Sequence, residues 1–308
     1  MTTSVLRRAA HWHRPLMLFV AAMAVLTAVS AVGVLTDPRV LTGAPIWLKP
    51  LKFSISFVLY GTTLAWMLSL LPRRSRAAER AGTVVVATGV IEMVIIVEQV
   101  LRGTTSHFNE TTPLNAALWR TMGMAIMVLF VAHLVIGVVV LRQRVADRPG
   151  RYAVGLGLGL TLLGMMAAIP MVAGADTGLD GVAGAHSVGV PDGGPGLPLV
   201  GWSTTGGDLR IGHFVGLHAL QALPILAILL SRWGTRLDET TRVRLLVVAG
   251  AAYGALTVLF TWQALRGQPL LRPDALTLVV AAALLVGAVT AAGLVLARRR
   301  RPELVLAA

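Results

Sequence analysis

Eight apolar blocks constrain this chain more than any other feature: roughly 15–35, 50–71, 82–102, 117–141, 152–173, 211–231, 244–266 and 275–297. About 20 such residues make a helix long enough to cross a bilayer. A helix is also the only structure short of a closed barrel that satisfies backbone groups in lipid. With 56% apolar residues and 13% charged ones, the chain cannot form an ordinary soluble domain. The expected fold is all-α, a polytopic integral membrane protein with eight transmembrane helices.

The net charge of +13 suggests nucleic acid until its distribution is read. Arg7, Arg8 and Arg14 precede the first block; Arg73, Arg74, Arg76 and Arg80 separate the second and third. Arg142, Arg144, Arg148 and Arg151 lie between the fourth and fifth, Arg232, Arg236, Arg242 and Arg244 between the sixth and seventh, and Arg298 to Arg301 after the last. Every second connection is arginine-rich, which is the positive-inside pattern. It places both termini in the cytoplasm of a bacterial-type cell, with the chain as a multi-pass protein of the inner (plasma) membrane. The excess charge then meets anionic membrane lipids, and no nucleic-acid partner is expected. The first block is too long for a signal-peptide core and lacks a small-x-small cleavage site, so it reads as a retained span. Cysteine is absent, which excludes disulfides, thiolate metal sites and cysteine nucleophiles.

The organisation has two halves. A cytoplasmic N-terminus (1–14) leads into a first four-helix half (15–141), an arginine-rich linker (142–151), a second half (152–297) and a basic cytoplasmic tail (298–308). EQVLRG at 98–103 and WQALRG at 262–267 close the third and seventh spans at the same surface. A looser echo relates Lys49, Lys52, Phe53 and Tyr60 to Arg210, His213, Phe214 and Gln221 at equal spacing. Four spans per half would make these copies parallel, a 4+4 internal repeat. The halves differ in one outer connection: residues 174–210 form a long, Gly- and Pro-rich stretch without helical period, expected to act as a cap.

Polar side chains within spans are costly and usually face a bundle interior. At ~100° per residue, Glu92, Glu98, Gln99 and Arg102 share one face of span three; Lys49, Lys52, Ser56 and Tyr60 share a face of span two. In span six Arg210 and Gln221 align, flanked by His213 and His218, while Arg120 starts span four and Gln263 and Arg266 end span seven. These groups lie in the outer half, so an outward-facing polar pocket is expected. Its ligand-binding set is Lys49, Lys52, Tyr60, Glu92, Gln99, Arg102, Arg120, Arg210, Gln221, Gln263 and Arg266, with Glu98, His213 and His218 as candidate catalytic groups. His107, His213 and His218 could hold a divalent metal such as zinc or iron, although signature spacings are missing. Haem is not expected, because His133 and His218 lie at different depths. His133 reads as a lone histidine bonded to a neighbouring helix. Asp208 reads as a cap for span six, the Tyr253/Thr257/Thr261 stripe as packing glue, and the glycines of GLGLGLTLLG (155–164) as sites of close helix approach.

Function is then expected as binding of a small or lipid-linked ligand, with a membrane enzyme acting at the outer leaflet as the leading form. A proton-coupled or anion transporter is the alternative, and a non-catalytic assembly protein comes third.

Overall fold

The computed structural model describes residues 12–143, 147–173, 180–234 and 237–298. Arg7, Arg8, Arg144, Arg236, Arg299 to Arg301 and the first residues of the long outer connection lie outside these segments. The helices are α1 (Arg14–Thr36), α2 (Leu48–Ser69), α3 (Arg76–Leu101), α4 (Pro113–Gln143), α5 (Arg148–Met166), α6 (Ile169–Ala173), α7 (Arg210–Leu217), α8 (Ala219–Trp233), α9 (Glu239–Leu265) and α10 (Ala275–Ala297). Two antiparallel ladders lie in the connections, β1 (Val40–Leu41) with β2 (Ala44–Pro45) and β3 (Ser187–Val188) with β4 (Gly207–Asp208). Among the described residues, seven helical stretches are long and apolar enough to cross a membrane, or eight if α7 and α8 are one bent span. The fold is an all-α bundle of the kind a multi-spanning membrane protein has.

Helix ends follow local chemistry. Ser75, Asp238 and Asp274 accept hydrogen bonds from Ala78, Thr241 and Thr277 N–H and so cap α3, α9 and α10. His13 does the same for α1 through Nδ1, leaving Nε2 to donate to the Glu79 carbonyl at 2.9 Å. The two QxLRG copies end α3 and α9 in one motif. Gly103 and Gly267 both take φ +71°, and Thr104 and Gln268 N–H return to the carbonyls of Gln99 and Gln263, a Schellman cap. The glutamine side chains then reach forward six residues, to the carbonyls of Thr105 (3.2 Å) and Pro269 (2.8 Å).

α1 packs on α2 and α3, and α3 on α4; α5 packs against α7, α8 and α9. α10 lies on α9 and is otherwise open to the surroundings. Leu16, Leu64, Met67, Ile96, Met122 and Ile136 fill the core of the first half; Leu223 and Leu246 belong to a smaller core in the second.

Pro170 and Pro224 are the residues expected to unwind spans five and six; the block at 211–231 is broken, but at His218 and not at Pro224, which lies inside α8. α7 and α8 meet at His218 with a bend of 43°. Side chains from neighbouring helices take the carbonyls at the break: Tyr253 Oη donates to Val215 O (2.6 Å) and Thr161 Oγ1 to Leu217 O (3.2 Å). Such substitution for ladder bonds is a recognised cause of kinks. Gly164 lets the break in, since a Cβ there would fall on the backbone of Gly216 and Leu217. The fifth block is likewise interrupted after Met166; Pro170, in the first turn of α6, has no N–H to carry the α5 ladder onward.

Candidate functional site

The first two turns of α2 carry Lys49, Lys52 and Phe53 to one end of the bundle, with Lys49 Nζ 5.9 Å from the centroid of the Phe53 ring. Glu92 enters from α3 and is only 2% exposed. Its Oε1 is 3.6 Å from His107 Nε2, while Oε2 accepts no hydrogen bond among the described residues. His107 sits in the α3–α4 connection. Gln99 and Asn109 hold this connection through the Thr105 carbonyl (3.2 and 2.9 Å), and Asn115 accepts from Gln99. Ring contacts place Phe53 and Trp119 5.6 and 5.5 Å from His107, and Phe108 5.0 Å from Trp119.

The long outer connection closes over this cluster. Phe108 meets His186 at 4.9 Å. His186 Nδ1 donates to Asp192 Oδ2 at 2.9 Å, and the same carboxylate accepts from the backbone N–H groups of His186 and Ser187. The Pro191–Asp192–Gly193 turn aims the acid backwards, as such turns do. Asp208 meets the expectation of a cap for span six in part: its Oδ1 accepts from the N–H of Arg210, the first residue of α7, at 3.1 Å. It lies in β4, ahead of the N-cap Leu209, and accepts from Ser203 N–H and from the Arg210 guanidinium at 2.9 and 2.5 Å. Arg210 also donates to Gly201 O (2.6 Å) and Lys52 to Val200 O (2.9 Å). Two cations thus grip adjacent carbonyls of the cap. Of the residues expected to line a recess, Lys52 and Arg210 are thereby tied to the connection between 180 and 209.

Lys49 lies within electrostatic reach of Glu92, Lys52, Arg210 and Asp192. Among the described residues, neither Lys49 nor Lys52 has a carboxylate within ion-pair distance, whereas Arg210 is paired with Asp208. Burial, then the charge of Lys49, holds His107 well below the usual histidine range, so its ring is neutral. Burial also lowers His186, against the pull of Asp192. For Asp192 burial works upward but is outweighed by the hydrogen bond and charge of His186, which hold the acid below the usual carboxylate range.

The remaining sequence-predicted residues separate into groups. Glu98 faces outward, 4.0 Å from Arg102, and is remote from His213 and His218 in bonding. Arg120 is exposed and pairs with Glu110 at 3.3 Å. Gln99 and Gln263 bind loop carbonyls, Arg102 donates to Gln99 and Arg266 to Asp274. His213 Nδ1 donates to Gly164 O (2.8 Å), beneath the cap. Deeper lies a second polar set: Gln221 joins Thr63 (3.1 Å) and His218 (3.4 Å). Tyr60 Oη and His133 Nδ1 are 2.9 Å apart, and His133 Nε2 donates to Leu158 O (3.3 Å). Both nitrogens of His133 are thereby engaged with neighbouring helices, as read from sequence. Among the described residues no three His, Asp or Glu side chains come together to hold a metal; His107, His213 and His218 do not form such a set. Two open concavities lie elsewhere and are apolar, one of about 380 Å³ between α9 and α10 and one of about 460 Å³ between α1 and α3.

No known family, curated protein or solved structure matches the chain. The site is therefore read from its own geometry. Sequence reading missed His186 and Asp192, whose only signal was a PDGG turn six residues past a histidine, and it gave Phe53 and Phe108 no role in walling the cluster.

Proposed function

We propose that the protein binds a small or lipid-linked anionic ligand on the outer side of its membrane, with acid–base groups beside it. The observation that carries this is that Lys52 and Arg210 hold adjacent cap carbonyls with Lys49 in electrostatic reach, and that among the described residues Arg210 alone of the three has a carboxylate, Asp208, at ion-pair distance. Neutral carbonyls of Val200 and Gly201 complete the coordination of Lys52 and Arg210. An anion makes stronger, charge-assisted bonds and would displace them, loosening the cap as it binds. Glu92–His107 and Asp192–His186 would then serve as proton acceptors and donors toward the bound ligand, an enzyme reading in which Glu98 has no part. The same reading comprises eight crossings with both termini in the cytoplasm of a bacterial-type cell and a parallel duplication of four spans.

Thermal unfolding of purified protein in uncharged detergent tests it. Inorganic phosphate at many times its Kd should raise the midpoint by several degrees, and the Lys49→Gln/Lys52→Gln double variant should lose that rise. An unchanged midpoint with phosphate, pyrophosphate and phosphatidylglycerol alike would remove the proposal.

A second reading, a proton-coupled or anion solute transporter, is favoured by the helix break at His218 and the polar set at Thr63, Gln221, Tyr60 and His133, because broken helices mark binding regions of transporters. Proteoliposome flux abolished by Glu92→Gln would support it over the enzyme.

A further inference from the structure

We infer that the ligand is a short zwitterion, an anionic group and a primary ammonium a few bonds apart. This rests on the anion-binding reading above and adds the second half of the ligand. The starting point is Glu92. A carboxylate offers about four acceptor positions, yet at 2% exposure Glu92 Oε2 has no hydrogen bond among the described residues, and Oε1 has the His107 contact alone. His107 Nε2, at 3.6 Å, stands beyond hydrogen-bond distance. Lys49 is within electrostatic reach but outside ion-pair distance, its head resting over Phe53. A buried acceptor of this kind asks for a donor, and the strongest is a cation.

The surroundings select the type of cation. Phe53, Trp119 and Phe108 stand around His107, next to Glu92. Aromatic faces attract ammonium groups. The metal alternative lacks a ligand set among the described residues. The ligand's two charges must also lie close together. Lys49 and Lys52 lie one helical turn apart on α2, and Lys49 is within electrostatic reach of both Glu92 and Arg210, so acceptor and cations belong to one cluster. Phosphoethanolamine has the required chemistry, whether as a free solute or as the headgroup of a lipid.

The test uses the full chain in uncharged detergent, with inorganic phosphate, ethanolamine and phosphoethanolamine as probes of binding. Phosphoethanolamine should bind at least tenfold tighter than phosphate, and Glu92→Gln should bring that ratio to about one. Should Glu92→Gln fail to fold, Trp119→Leu, which thins the aromatic wall, should lower the ratio instead. Nanodiscs of phosphatidylglycerol with and without phosphatidylethanolamine identify the source. Stabilisation by phosphatidylethanolamine indicates a lipid headgroup; stabilisation by the soluble probe alone indicates a solute. Equal binding of phosphate and phosphoethanolamine by the wild-type chain overturns the zwitterion and leaves the anion site standing. Binding of neither overturns both.

Discussion

Glu92 is a buried carboxylate whose Oε2 accepts no hydrogen bond among the described residues. Replacing it by leucine removes an unsatisfied buried acceptor, so Glu92→Leu should stabilise the protein by about 1–3 kcal/mol, read as a raised unfolding midpoint, while ligand binding falls. Such a trade marks groups retained for function. The histidines predict a pH response. His107 and His186 both titrate below the ordinary value in the folded chain, so the unfolded chain takes up protons first. Their contribution to stability is present above about pH 6.5 and is lost as pH falls through their folded values. Asp192, also lowered, adds a loss of the same sign further into acid. The unfolding midpoint should therefore be lower at about pH 5.5 than at about pH 7.5, and the His107→Gln/His186→Gln double variant should flatten that difference. Depth along a helix made Glu92 and Lys52 legible in sequence, because a charge several residues inside an apolar run must have a reason. The His186–Asp192 pair was not legible, since the loop carrying it has no period to place its side chains.

At the scale of elements, the break between α7 and α8 depends on backbone contact at Gly164 and on two donated hydroxyls. Gly164→Ala sets a methyl group on the Gly216 and Leu217 backbone and should destabilise the protein by about 1–3 kcal/mol. Gly123→Ala, in open space on α4, should be neutral or slightly stabilising. Tyr253→Phe frees the Val215 carbonyl and should cost about 0.6–1.7 kcal/mol, measured by the same unfolding experiment. Span positions were readable from hydropathy to within a few residues for most helices. Pro224 pointed to a break in span six, but its place at His218 was not readable, because its cause lies on α5 and α9 rather than in the broken segment. Gln99 and Gln263, expected to bind ligand from their polarity at a helix end, extend the two Schellman caps by bonding the loop carbonyls beyond them.

At the scale of the molecule, the arginine-rich connections and the capped end lie at opposite ends of the bundle. Because the chain has no cysteine, single cysteines report topology cleanly. Thr42→Cys, Leu199→Cys and Arg272→Cys should react with an impermeant thiol reagent on intact cells, and Arg74→Cys only after the membrane is opened. Alternation of charge carries this expectation, since it depends on counts along the chain and not on contacts. Closure over the site was less readable, being made by single bonds across long separations, such as Lys52 to Val200 and Arg210 to Gly201. That closure has a consequence for biogenesis. A membrane chain is threaded from its N-terminus, so Lys49, Lys52, Glu92 and His107 reach their places while residues beyond 180 are still on the ribosome. Until Arg210 is made, the half-built bundle faces the outside bareheaded, and a ligand present then would be met before the roof is on.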